Sequence, residues 1–230
     1  MDASVHQSRP DPYGELVQLL EDHITLDPVE RSYYRRDLAA VPGFLGALIG
    51  QTLPDAIARP RNVDDVVALL HHASARRLPI TPRAAATTVY WNAVPIHGGL
   101  VIDMNGMRGL LQLDEENLIA SVLPGTRWQE LDSLLRRRGY ALLSYPTSAP
   151  SATVGGWVNM EGYGIGSLQY GGLCEQLVRL EVVLPDGRVI EAGTPGEMPV
   201  SAFCGSEGTL GVITRIDLKI RPMPDVSQSV

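Results

Sequence analysis

Three segments of the chain have the composition of ligand-binding loops. Between 153 and 172 the run TVGGWVNMEGYGIGSLQYGG is so dense in glycine that it reads as a loop rather than a packed strand or helix. Such a loop lets backbone N–H groups approach a phosphate or a flat ring closely, although a glycine-rich surface turn would look the same. The run PRAAATT at 82–88 follows a predicted strand directly and offers small side chains, two hydroxyls and a series of free amides. GSEGTLG at 205–211 is small and polar and leads into the most regular strand pattern of the chain. These are not the standard nucleotide motifs. No G-K-[ST] follows a glycine loop, and Gly162, Gly164 and Gly166 have neither the spacing nor the strand-to-helix setting of a dinucleotide fingerprint.

Side chains for acid–base, nucleophilic or metal chemistry are sparse. His71 and His72 fall beside the apolar stripe of a predicted helix, which fits a solvated or capping role. His6 and His23 lie in the N-terminal segment, and His97 precedes Gly98 and Gly99 in a turn. No catalytic base is assigned. Cys174 and Cys204 are far apart in sequence and outside any C-x-x-C pattern, so they suggest neither a metal site nor a disulfide framework and read as reduced thiols.

The elements that would hold these loops are legible in part. Leu16, Leu19, Leu20 and Ile24 predict a short amphipathic helix over 12–24, followed by an irregular arm to Gln51. Asn62 can cap a helix whose Asp64 and Asp65 suit its positive end. Val66, Leu69, Leu70 and Ala73 form its stripe, and Arg76 and Arg77 suit its last turn. With strands at 55–58, 78–81 and 100–103, this gives a β-α-β-β lobe of parallel type. A second lobe begins with strands at 110–113 and 118–123. Thr126 and Gln129 have capping-box spacing ahead of a helix faced by Trp128, Leu131 and Leu135 and stopped by Gly139. A hairpin turns at Pro185-Asp186-Gly187, and the last strand alternates Val212, Thr214, Ile216, Leu218 and Ile220 with Arg215, Asp217 and Lys219, as a sheet with one wet face requires.

Composition narrows the class of function. With 230 residues, 44% of them hydrophobic and 20% charged, the chain can bury an ordinary core. A net charge of -7 without a basic cluster argues against nucleic acid as partner. No apolar run reaches the roughly 18 residues of a membrane span, and the first residues lack a secretory signal, so a cytoplasmic location is expected.

Taken in order, the loops resemble those of the FAD-binding domain of the vanillyl-alcohol oxidase / p-cresol methylhydroxylase superfamily, nearest the glycolate oxidase and D-lactate dehydrogenase type. PRAAATTVYWNAVP is similar to its R-G-G-G-T-S loop, and Pro124-Gly125 with Trp128 to Leu131 to its P-G segment. YPTSAPSATVGG resembles its flavin loop, Tyr170-Gly171-Gly172 its Y-G, LEVVLPDG its hairpin and GSEGTLGVIT its closing strand. The resemblance implies an α+β fold of PCMH type in two lobes, residues 51–105 and 106–222, with an N-terminal helix and arm over 1–50 and a tail over 223–230. It implies FAD between the lobes, held non-covalently, because covalent relatives have a histidine where Thr87 stands. Arg83, Ala84, Ala85, Ala86, Thr87 and Thr88 would face the pyrophosphate. Pro146, Ser148, Thr153, Gly155 and Gly156 would line the flavin and its linker, and Gly162, Gly164 and Ile213 would lie along the cofactor.

The chain departs from the family pattern in places. Ala84, Ala85 and Ala86 replace glycines, and a β-carbon at φ > 0 costs on the order of 1 kcal/mol. Glu161 stands where asparagine is usual, and Tyr90, Trp91 and Tyr163 add bulk. The sequence ends at Val230, without the substrate domain that members of the family carry after the closing strand. The expected function is therefore the flavin subunit of a dehydrogenase acting on a small 2-hydroxy acid such as glycolate or D-lactate. A substrate-domain chain, or an iron–sulfur or other electron-transfer subunit, would complete it. Two alternatives stand beside it: an FAD-free binding or assembly module that keeps the fold, and a stand-alone alcohol or phenol oxidase.

Overall fold

The computed structural model describes residues 12–39 and 52–224. The first sheet runs β1 (Ile24–Thr25), β2 (Ala56–Ala58), β4 (Leu100–Asp103), β3 (Ile80–Arg83) from edge to edge. Ile57 and Thr81 both register with Val101, so the three inner strands are parallel, and β1 adds antiparallel to β2. Parallel neighbours require a crossover, which the Val63–Arg76 helix supplies. Its start is fixed as the sequence indicates: Asn62 Oδ1 accepts the Asp65 N–H at 2.9 Å, and Arg77 closes the helix in the left-handed region. Val66, Leu69, Leu70 and Ala73 are buried along one stripe.

The N-terminal segment differs from the expectation. The helix is shorter, Gly14–Leu20, with Leu16 and Leu20 buried and Leu19 exposed, and Ile24 belongs to β1 instead. Tyr13, Leu16, Leu20 and Ile24 join the core of the first sheet. His72 is buried rather than solvated. One ring nitrogen meets the Pro12 carbonyl and the other lies 3.7 Å from the Glu15 carboxylate, which ties the N-terminal helix down. The arm contains a short helix, Pro28–Ser32, capped by Asp27, which accepts from the N–H groups of Val29 and Glu30 at 2.9 Å. The rest of that arm, 40–51, lies outside the described residues.

The second sheet is antiparallel. Its strands are β5 (Leu110–Asp114), β6 (Ile119–Val122), β7 (Tyr140–Leu142), β8 (Leu177–Val183), β9 (Val189–Ala192) and β10 (Val212–Pro222). Strand β10 is central, with Ile216 opposite Val122 of β6 on one side and Leu180 of β8 on the other, while its far end pairs with β7. The expected wet face of β10 is only partly wet. Lys219 is exposed, but Asp217 is buried, its carboxylate 3.0 Å from Arg179 Nε and flanked by Arg215.

Two local expectations fail for identifiable reasons. Thr126 forms no capping box. It is buried, its hydroxyl donates to the Leu123 carbonyl at 2.6 Å and accepts from Gly109 N–H at 2.9 Å, and the helix begins at Trp128 behind Arg127. The glycine-rich run at 153 is not loop throughout, since Val154–Asn159 is helical, with the Thr153 hydroxyl accepting from Gly156 N–H at 3.2 Å. Gly155 is needed for approach rather than for flexibility: a β-carbon there would sit 2.6 Å from Pro124 Cβ and 3.0 Å from its carbonyl oxygen.

The two lobes are joined through apolar contact. Val183 and Val212, paired across β8 and β10, also pack into the core of the first sheet. The Gly187 turn lies directly over His71, whose ring a β-carbon at Gly187 would overlap at 1.8 Å.

Candidate functional site

A cavity of about 290 Å³ opens between the lobes, where the three loops singled out above converge. One wall is the turn after β3. Here Ala86 adopts φ +50° while Ala85 does not leave negative φ. A left-handed residue in such a turn redirects the N–H groups beside it, as in the nests that bind anions, and Ala85 to Thr88 all border the cavity. The amides of Ala85, Ala86, Thr87 and Thr88 donate to nothing among the described residues.

The loop is held from behind by the N-terminal arm. Arg83 donates from its guanidinium to the carbonyls of Tyr34 at 3.1 Å, Ala93 at 2.8 Å and Arg36 at 2.8 Å. It also stacks 5.1 Å from the Tyr34 ring centre. Burial pulls its pKa down, and Tyr34, Asp103 and Asp37 oppose that pull. The Tyr34 hydroxyl donates to Asp103 at 2.6 Å, and burial, reinforced by that carboxylate, raises the tyrosine pKa. Asp37 accepts the Trp91 N–H at 2.8 Å, which fixes Trp91 at φ +69°. Arg83 is therefore a clamp, and the groups left unengaged are the amides that follow it.

The opposite wall is the Val154–Asn159 helix. Val154 N–H donates to Thr126 O and Gly155 N–H to Pro124 O, both at 2.8 Å, so the helix start is fastened to the segment after β6. Trp157 faces the cavity and packs edge-on against buried Trp128, ring centres 4.9 Å apart. Asn159 holds the third loop: its Oδ1 accepts from Gly208 N–H at 3.0 Å and Ser206 Oγ at 3.3 Å, and its carbonyl accepts from Glu207 N–H at 3.0 Å.

Of the residues selected from sequence, Arg83, Ala84, Ala85, Ala86, Thr87, Thr88, Ser148, Thr153, Gly155, Gly156 and Ile213 all border this cavity. Pro146, Gly162 and Gly164 are not among its lining residues. The two glycines answer to packing behind the wall. A β-carbon at Gly162 would lie 2.2 Å from the Trp157 indole, and one at Gly164 would lie 2.3 Å from the Tyr145 carbonyl. Asn92, Trp157, Asn159 and Met160 also border the cavity and were not selected. Nothing in their spacing marks them, because their role comes from the approach of two distant loops. Cys174 and Cys204 are free. Burial and a hydrogen bond between them push the Cys204 thiol well above its ordinary range, so it is not a nucleophile at neutral pH. Among the described residues there is no metal-binding group of His, Cys, Asp or Glu, and no helix is long and apolar enough to cross a membrane.

A family model described as "FAD binding domain" matches residues 54–193. The glycolate oxidase subunit GlcD of Bacillus subtilis is 34% identical over 186 residues, 78% of this chain and 40% of that protein. The mitochondrial D-lactate dehydrogenase [cytochrome] of Arabidopsis thaliana is 30% identical over 221 residues, 93% of this chain and 37% of that protein. A solved alkyldihydroxyacetonephosphate synthase superposes with a TM-score of 0.83 at 26% identity, over 96% of this chain and 45% of that one. The chain thus spans about 40% of the length of the curated relatives it matches.

Proposed function

The chain belongs to the FAD binding domain family, and on that premise we propose that it holds FAD non-covalently in the cleft between its lobes, as the flavin-carrying part of a dehydrogenase. The observation that carries this reading is the nest. The unengaged amides of Ala85 to Thr88 belong to residues that border a cavity between two lobes, which suits a pyrophosphate. Thr87 adds a hydroxyl and Ser148 another from across the cleft. Trp157, Pro124, Ala152 and Ile213 give the rest of the walls an apolar character that suits a flat ring and keeps water from it. Bound flavin supplies hydride acceptance, and the protein positions it.

The left-handed Ala86 does not argue for loss of the cofactor. Its strain, about 1–2 kcal/mol, falls on the folded chain whether or not FAD is bound. It is small beside what a set of amide–phosphate hydrogen bonds supplies, at roughly 1.5–3 kcal/mol each.

The substrate reading is a small 2-hydroxy acid such as glycolate or D-lactate, supported by the names of the relatives. The GlcD relative is named as a subunit, which supports a site completed by a partner chain carrying substrate-binding or electron-transfer groups. The free cysteines support a reducing, cytoplasmic setting. The test is direct. The purified chain, supplied with FAD and desalted, retains visible flavin absorbance that dithionite bleaches. With its partner, D-lactate or glycolate bleaches it under anaerobic conditions. A protein that remains colourless at saturating FAD overturns the proposal.

A further inference from the structure

One polar atom in the cleft wall has no structural use. The Asn92 side-chain amide donates through Nδ2 to the Met160 sulfur, across the gap between the first loop and the end of the Val154–Asn159 helix. A thioether can only accept, so Nδ2 is the amide atom that faces it and Oδ1 lies on the other side. That oxygen is buried, and it has no hydrogen-bond partner. Buried acceptors without donors are rare in folded proteins, and each costs stability. Asn92 is not there by default of the loop either. Its neighbour Trp91 sits at φ +69° with its N–H on Asp37, a strained backbone next to a residue that borders the cavity.

We propose that Asn92 Oδ1 is a recognition atom for the cofactor, accepting a hydrogen bond from an N–H or O–H group of the flavin moiety. The inference rests on the FAD reading above and extends it to a contact that discriminates among ligands. The nest at Ala85 to Thr88 recognises negative charge and would accept many phosphates. A buried acceptor in a cavity wall that also includes Met160, Trp157 and Ala93 requires a donor on a largely apolar ligand part. A flavin offers such donors at the ring imide and along the ribityl chain. Asn92 is thus a positioning and specificity residue rather than a catalytic one.

The experiment compares wild type with Asn92→Leu and Asn92→Ala, using quenching of tryptophan fluorescence to measure FAD affinity and thermal unfolding of the FAD-free protein to measure the fold. Both variants lose the acceptor, so both are expected to bind FAD about three- to tenfold more weakly, the loss of one neutral hydrogen bond. The FAD-free Asn92→Leu protein is expected to melt no lower than wild type, because the substitution removes an unsatisfied buried atom from a site of similar volume. A flavin analogue methylated at the ring imide separates the two donor sources. If the imide is the donor, wild type binds the analogue as weakly as the variants bind FAD. If a ribityl hydroxyl is the donor, wild type binds the analogue as it binds FAD and the variants lose the same factor with both. Unchanged FAD affinity in either variant overturns the proposal. So does a loss confined to Asn92→Leu, which would report bulk alone, or a lowered melting temperature in FAD-free Asn92→Leu. Wild type that fails to bind FAD overturns the underlying cofactor reading instead.

Discussion

The left-handed alanine in the nest gives a prediction whose sign is set by a single dihedral angle. Ala86 sits at φ +50°, where its β-carbon crowds the backbone, and Ala86→Gly removes that crowding. The relief is about 1–2 kcal/mol, and the extra freedom that glycine gives the unfolded chain takes back about 0.4–1 kcal/mol, so the net gain lies in the range of about 0–1.6 kcal/mol, centred near 0.8 kcal/mol. For a domain of this size that raises the melting temperature by roughly 1–4 °C. Ala85→Gly is the internal control. Ala85 keeps negative φ, so only the unfolded-state term operates and the variant should lose about 0.4–1 kcal/mol. Thermal unfolding of the FAD-free proteins measures both. Because the nest is already formed without ligand, the Ala86→Gly gain should appear in the fold, with FAD affinity within about twofold of wild type. If Ala86→Gly is no more stable than wild type, or stabilises no better than Ala85→Gly, the strained-nest description is wrong. If its only effect is tighter FAD binding, the loop acquires its conformation on binding rather than before it.

Two further predictions concern the arm behind the loop. Arg83→Lys keeps the charge but cannot fork to the carbonyls of Tyr34, Ala93 and Arg36, so it should cost about 2–4 kcal/mol in urea unfolding. A change under about 0.5 kcal/mol would show that the clamp is ornamental. Tyr34 has a folded pKa raised above its ordinary value of 10.0 by burial and then by Asp103. Its neutral form therefore stabilises the fold below about pH 10, and that contribution is lost as pH rises through the folded value. Tyr34→Phe should be less stable at neutral pH by about 1 kcal/mol, through loss of the Asp103 hydrogen bond, yet decline less steeply at alkaline pH. Parallel slopes of melting temperature against pH for the two proteins would contradict this.

Much of the architecture was legible because local signals and tertiary packing agree. The helix after β2 has its cap, acidic first turn and stripe all in sequence, and β10 shows its alternation. The readings that failed are those where a distant segment overrides local chemistry. Thr126 has capping-box spacing but is taken by Leu123 and Gly109. Gly155 and Gly156 look like loop residues, but Gly155 is there because Pro124 comes too close for a side chain. Asp217 falls on the expected wet face and is covered by Arg179 and Arg215. At the site, the runs at 83–88 and 153–156 could be read from composition because backbone access is what they provide. Gly162 and Gly164 look identical in composition but serve Trp157 and Tyr145. Asn92 carried no signal, since the burial of one oxygen depends on Met160, 68 positions away.

The central place of β10 also bears on how the cleft comes into being during synthesis. Residues of the first sheet end at Asp103 and can pair as soon as they emerge, and β6 and β8 can pair with β5 and β9, whereas the joining of these hairpins and of β7 into one sheet waits for a strand that is complete only at Pro222. Domains form in the order in which they leave the ribosome, and pairings distant along the chain are the slow ones. Val212, at the start of that late strand, also packs against the first sheet's core. The nascent protein thus completes the turn after β3 well before the strand whose Val212 ties the two sheets together.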